Sequence, residues 1–234
     1  MYDHTAFTAW LDAAGIERGK MKSRRDATGA FLGYLFDPAI MDAIKRGTIE
    51  AYMRFKEPYL LHLTIFMDEA NDISGFFNAL GTACQRDLGY RPLYAAAIER
   101  KRQEEIEREY KFRPDGFHYQ CPLWVEYTDT VKMDLRKIIR RQRGRTVLNN
   151  PRATHISGGH LLNTSINNLY MGLKHIGGYV GKIHPTKPKS QEELNKWIKK
   201  AGITKKLKRL VTSQFHQWDT LNLHFNNQHI ALTH

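Results

Sequence analysis

His118-Tyr119-Gln120 lies in the run Phe117–Tyr127 (FHYQCPLWVEY), whose composition reads as a β-strand. Side chains alternate along a strand, so His118 and Gln120 share one face and Tyr119 points to the other. An imidazole nitrogen beside an amide oxygen can ligate a divalent cation once a carboxylate joins them. Glu99 is the expected third ligand. It ends the apolar run Leu93–Ile98, a second strand expected to pair with the first. An amide oxygen in the set favours hard Mg²⁺ or Mn²⁺ over a soft metal. Taken alone, the same residues also fit a half-buried strand histidine and a solvated amide.

Tyr179 and Lys182 stand three apart in GGYVGK, which puts them on one face of a helix. A phenolate nucleophile and a cation would then address one phosphate, although a core tyrosine with a snorkelling lysine gives the same spacing. GGYVGK is not a P-loop: Ile176 stands where the first glycine belongs and Ile183 where Ser or Thr follows the lysine. No nucleotide cofactor is expected. His155, His160, His224, His229 and His234 are too loosely spaced to make a metal group.

The elements that must carry these residues can be read in order. Residues 5–14 and 38–56 have helical patterning, and the second starts on Asp37-Pro38, a cap followed by an N1 proline. Tyr59–Met67 (YLLHLTIFM) reads as a strand. Asp72–Leu88 reads as an amphipathic helix closed by Gly89. Lys101–Asp115 balances its charges and reads as a solvated hairpin extension or frayed helix. Pro122 suggests a bulge or an edge in the His118 strand. Thr128–Arg143 reads as a basic helix. Residues 145–163 fit either short strands or loop. Ser165–Ile183 is mostly helical, with a break or kink allowed at Gly177-Gly178. Gln191–Lys200 is a helix, and 221–225 can add a strand. Strand pairs with intervening helices imply an α+β fold: an antiparallel central sheet with flanking helices, of ferredoxin-like or RNA-recognition-like type. Residues 1–58 form an N-terminal helical region, 59–186 a core, and 187–234 a basic C-terminal extension packed on it.

The chain has 234 residues and a formal net charge of +12, and 41% of its residues are hydrophobic, which is globular composition with a basic excess. Its two cysteines, Cys84 and Cys121, exclude a disulfide framework or a Cys-rich zinc site. No apolar run approaches the ~20 residues of a membrane span, and the first twenty residues hold no continuous apolar block. A cytoplasmic setting without a membrane partner is expected. The charge is concentrated. Lys132–Arg145 carries seven basic residues and one acid, and Lys196–Arg209 seven and none. Such runs attract phosphate backbones. The expected DNA contacts are Arg136, Lys137, Arg140, Arg141 and Arg143 in the first run, and Lys205, Lys206, Lys208 and Arg209 in the second.

The ordered set LHLTIFMD, a strand ending in Glu99, His118-Tyr119-Gln120 and Tyr179–Lys182 resembles the HUH endonuclease superfamily over residues 59–186. That superfamily holds rolling-circle replication initiators (Reps) of phages and plasmids, single-stranded-DNA virus Reps, relaxases and some transposases. The single tyrosine is similar to the one-tyrosine initiators. The resemblance implies metal-dependent nicking and joining of single-stranded DNA at an origin or hairpin. Tyr179 would form a 5′-phosphotyrosyl intermediate, Lys182 would offset phosphate charge, and His118, Gln120 and Glu99 would hold Mg²⁺ or Mn²⁺. A host helicase and polymerase would be the partners. Tyr170, nine residues before Tyr179, falls on the other side of a continuous helix. The alternatives are a non-catalytic basic DNA-binding protein, or a relaxase or transposase of the same superfamily. A tyrosine recombinase lacks its HxxR here, and an RNA-processing protein its aromatic RNP pattern.

Overall fold

A computed structural model of the chain describes residues 37–66, 72–100, 116–141, 154–164, 171–181, 185–204 and 206–216. The expected helix at 5–14, the extension at 101–115 and the strand at 221–225 lie outside them.

Helix α1 (Pro38–Arg54) begins where the sequence places its start. The Asp37 carboxylate accepts from the N–H groups of Ala39 and Ile40, 3.0 and 3.2 Å away, and proline takes the first helical position. Strand β1 (Pro58–Phe66) follows. Helix α2 (Ile73–Leu88) is capped by Asp72 and ends at Gly89, whose φ of 83° is the left-handed C-cap that glycine adopts without strain. Strands β2 (Leu93–Arg100) and β3 (Phe117–Glu126) come next, then helix α3 (Val131–Arg141) and strand β4 (Thr154–Leu161). A π turn, Leu173–Gly177, runs into the short helix α4 (Gly178–Gly181). Helix α5 (Gln191–Lys200) and strand β5 (Leu210–Thr212) complete the order.

The five strands form one open sheet in the order β4-β1-β3-β2-β5, every neighbouring pair antiparallel. The fold is α+β. One sheet face carries Leu61, Leu63, Ile65, Tyr119 and Cys121, packed against α2, α3 and α5 through residues such as Phe76, Leu80, Leu135 and Leu194. The other carries Leu60, Ala95, Ala97 and Trp124 under α1, joined by Leu173, Ile176 and Val180 of the π turn and α4. The strand alternation that separates His118 from Tyr119 thus divides the whole molecule into two cores.

The structure resolves one open reading and adds to two others. The ambiguous stretch 145–163 supplies β4, which pairs with β1 through a bulge opposite Leu60–His62. Gly158 and Gly159 make that bulge with φ of 68° and 141°, values that favour glycine. Pro122 lies in a central strand rather than at an edge. The β1–β3 register runs unbroken through it, and the β2–β3 ladder leaves out Ala95 and Ala96 opposite, where proline has no N–H to give. Finally, the basic extension enters the sheet: β5 pairs with Ala95–Ala97 of β2.

Candidate active site

The register sets the first contacts. Glu99 on β2 stands opposite His118 on β3, and Gln120 stands opposite Thr64 on β1 and Ala97 on β2. All three expected metal ligands therefore lie on the α1/α4 face. They are buried polar groups among apolar neighbours: His118 is 2% exposed, Gln120 5% and Glu99 8%. Tyr119 points the opposite way, as alternation requires, and its hydroxyl donates to the Lys208 carbonyl at 2.7 Å.

Each of these polar side chains is held in orientation. The Nδ1 of His118 is 3.3 Å from the Gly116 carbonyl, which can only accept, so Nδ1 carries the proton. Nε2 lies 3.5 Å from Glu99 Oε2. Glu99 Oε1 accepts from the Thr186 hydroxyl at 2.6 Å, whereas Oε2 is buried with no hydrogen-bond partner. The Thr64 hydroxyl donates to Gln120 Oε1 at 2.9 Å. Burial by itself would raise the Glu99 carboxyl. His118, Lys187 and Thr186 more than reverse this and hold it at about 2, so Glu99 is a carboxylate at neutral pH.

His118 Nε2 and Glu99 Oε2 face each other at 3.5 Å, and Oε2 is orphaned, an arrangement that a shared cation would satisfy. Donors about 2.1 Å from a common small cation stand roughly 3.0–3.5 Å apart. An imidazole whose other nitrogen is fixed by a carbonyl is also the usual arrangement behind a metal-binding histidine. Among the described residues, no group of three or more His, Cys, Asp or Glu side chains is gathered to hold a metal. The set here is one imidazole, one carboxylate and one amide, and its donor chemistry fits a hard cation.

Tyr179 reaches the same face from α4. Its ring meets the His62 ring edge-on at 5.6 Å between centroids. His62 lies on β1 opposite Pro122, one step along the face from Thr64. Its Nε2 is buried without a partner, and burial, with smaller contributions from Lys187 and His155, lowers its pKa to about 4 although Gln120 pulls the other way. His62 is therefore neutral at pH 7. The Lys187 ammonium lies over the Tyr179 ring, 5.4 Å from its centroid.

The π turn changes one expectation. The half-turn separation of Tyr170 from Tyr179 assumes a constant 100° per residue, and the wider π turn between them breaks that step. Tyr170 itself lies outside the described residues, as do Lys182, Arg143 and Lys205.

The basic residues are distributed unevenly with respect to this site. Arg136 donates to the Ile156 carbonyl at 3.2 Å, Lys137 pairs with Asp134 at 3.6 Å, and Arg141 pairs with Asp87 at 2.6 Å. These sit on α3, across the sheet from Tyr179. Arg209 forms a half-buried ion pair with Asp37. Arg140, Lys206 and Lys208 are exposed. Lys206 and Lys208 lead into β5, and the Arg209 carbonyl accepts from Ile98 N–H at 3.0 Å, next to Glu99.

Sequence reasoning missed His62, Thr64, Thr186 and Lys187. Strand alternation from Leu60 could have flagged His62 and Thr64 as face-sharing polar residues. Thr186 and Lys187 have no local signal, because only the return of the chain past β2 brings them in. No protein-family model, curated protein or solved structure matches the chain.

Proposed function

We propose that this chain is a metal-dependent nuclease of the HUH type that nicks and rejoins single-stranded DNA through Tyr179, in the manner of a rolling-circle replication initiator. The observation that carries the reading is the pairing, on one sheet face, of His118 Nε2 with an orphaned Glu99 Oε2 at 3.5 Å, with Gln120 two residues on along the same strand and Tyr179 packed against His62 of the neighbouring strand. The order β4-β1-β3-β2 with β-α-β-β-α-β connectivity, that of a ferredoxin-like sheet, supports it.

His118, Glu99 and Gln120 would hold Mg²⁺ or Mn²⁺, which when bound supplies Lewis-acid polarisation of a phosphate oxygen. The chain's own residues do the rest. Thr186 and Thr64 keep the carboxylate and amide turned to the face. The Tyr179 oxygen attacks phosphorus, the bond to the 3′ oxygen breaks, and that oxygen leaves as a 3′-hydroxyl after taking a proton. The 5′-phosphotyrosyl ester keeps the bond energy, so the strand can be rejoined without ATP. Single-stranded DNA is the substrate, and a helicase and polymerase would use the free 3′-hydroxyl.

The test is incubation with single-stranded DNA containing the replication origin, plus Mn²⁺, followed by a denaturing gel. A covalent protein–DNA adduct that EDTA abolishes is expected. DNA binding without adduct, indifferent to EDTA, would instead identify a non-catalytic binding protein.

A further inference from the structure

Helix α4 is the last turn of a helical stretch that runs from Met171 through the π turn, and its C-terminal carbonyls have no partners within the helix. Each is met from outside. The Lys187 ammonium donates to the Tyr179 carbonyl at 2.8 Å and to the Val180 carbonyl at 2.7 Å, and Asp37 N–H donates to the Gly181 carbonyl at 2.9 Å. Lys187 is itself only 6% exposed. Burying a lysine is costly unless its charge is compensated, and two carbonyls at the negative end of a helix provide compensation. The preceding residue is tied to the other half of the site. Thr186 donates to Glu99 Oε1, and its carbonyl accepts from Arg100 N–H at 2.8 Å. Two consecutive residues thus grip the metal-site carboxylate and the backbone that carries the tyrosine.

We infer that Thr186-Lys187 is a positioning device that ties Tyr179 to the His118–Glu99–Gln120 group, with Lys187 fixing the nucleophile's backbone and Thr186 the carboxylate. This rests on the nicking function proposed above. Lys187 acts through Tyr179 and does not itself bind the cation. A nucleophile displaced by about 1 Å loses rate on the order of 100-fold while ligand groups elsewhere keep their affinity.

The experiment compares wild type, Lys187→Met, Lys187→Arg and, as a control for the removed charge, Lys189→Met at an exposed neighbour. Three quantities are read: Mn²⁺ affinity from thermal shift of the protein alone, single-turnover adduct formation on single-stranded DNA containing the origin at saturating Mn²⁺, and the ¹⁹F NMR line of 3-fluorotyrosine placed at position 179 in metal-free protein. Lys187→Met should bind Mn²⁺ within about twofold of wild type, form adduct about 100-fold more slowly and shift or broaden the ¹⁹F line. Arginine, with donors enough for both carbonyls, should recover most of the rate and the line position. Lys189→Met should match wild type. Should Lys187→Met fail to fold, Lys187→Gln, which keeps an N–H donor, serves the same comparison. An undiminished rate in Lys187→Met, or a parallel fall of rate and Mn²⁺ affinity, overturns the inference and leaves the proposed function standing. No adduct from wild type removes both.

Discussion

His118 and Tyr179 divide the proposed chemistry between them, so their substitutions should separate. His118→Ala removes Nε2 and leaves Glu99 Oε2 facing nothing. It should abolish both nicking and the Mn²⁺-dependent rise in melting temperature while DNA binding persists, and nicking at the wild-type rate would refute the metal assignment. Tyr179→Phe deletes one oxygen from a half-buried ring. Folding and DNA binding should survive and the adduct should vanish, with mass spectrometry of the wild-type adduct locating the phosphotyrosine. His62 predicts a pH effect on stability. Its pKa is about 4 in the fold against an ordinary 6.5, because burial penalises the charged ring. Above pH 6.5 it is neutral in both states and contributes no pH dependence. As pH falls from 6.5 to 4 only the unfolded chain takes up the proton, so the fold loses up to about 3 kcal/mol there and no more below. Denaturant titrations in EDTA at pH 7 and 4.5 should show this difference in wild type and a smaller one in His62→Gln.

At the scale of elements, α1 and the sheet approach each other at Gly47. A β-carbon there would lie 2.6 Å from two carbons of the Trp124 ring, which is fully buried with nowhere to move. Gly47→Ala should therefore destabilise by about 1–3 kcal/mol despite alanine's better helix propensity. A melting temperature at or above wild type would show that α1 can lift from Trp124 at no cost. The same helix start supports the site, since Asp37 caps α1, pairs with Arg209 before β5 and holds the Gly181 carbonyl of α4. These contacts close the open C-terminal end of the helical stretch that α4 completes.

Across the whole molecule the sheet decides which cations can meet a substrate. Helices α2, α3 and α5 cover the face opposite Tyr179, so Arg136, Lys137 and Arg141, each bonded within the chain, lie behind the sheet from Tyr179. Lys206 and Lys208 are exposed on the segment leading into β5, where the Tyr119 hydroxyl holds the Lys208 backbone and Ile98 N–H holds the Arg209 carbonyl. Neutralising Lys206 and Lys208 should flatten the salt dependence of single-strand binding, across unrelated sequences, by a slope of about 0.7 for each phosphate that no longer meets a cation. Arg136→Gln should leave that slope unchanged. Equal slopes for all variants would return both runs to ordinary solvated surface.

Local rules were enough to read much of this protein from its sequence. Asp37-Pro38 and Asp72 mark helix starts because their side chains cap the first free N–H groups, and Gly89 marks a stop because its φ is positive. Period-two alternation placed His118 with Gln120 and against Tyr119, and pairing of adjacent strands brought Glu99 opposite His118. What stayed hidden depends on residues far apart in the chain. The strand at Thr154–Leu161 has two glycines in a bulge, so its own sequence leaves strand and loop open, and pairing with β1 decides for the strand. Leu210–Thr212 is three residues long and becomes a strand because β2 offers an open edge. Lys187 looks like any surface lysine between prolines, yet it is buried, because the chain returns past β2 and brings its ammonium under the carbonyls of α4. Residue types and their alternation determined which groups could do chemistry. The tertiary fold decided what holds them, since burial and long-range hydrogen bonds exist only once the sheet and its two covering layers have assembled.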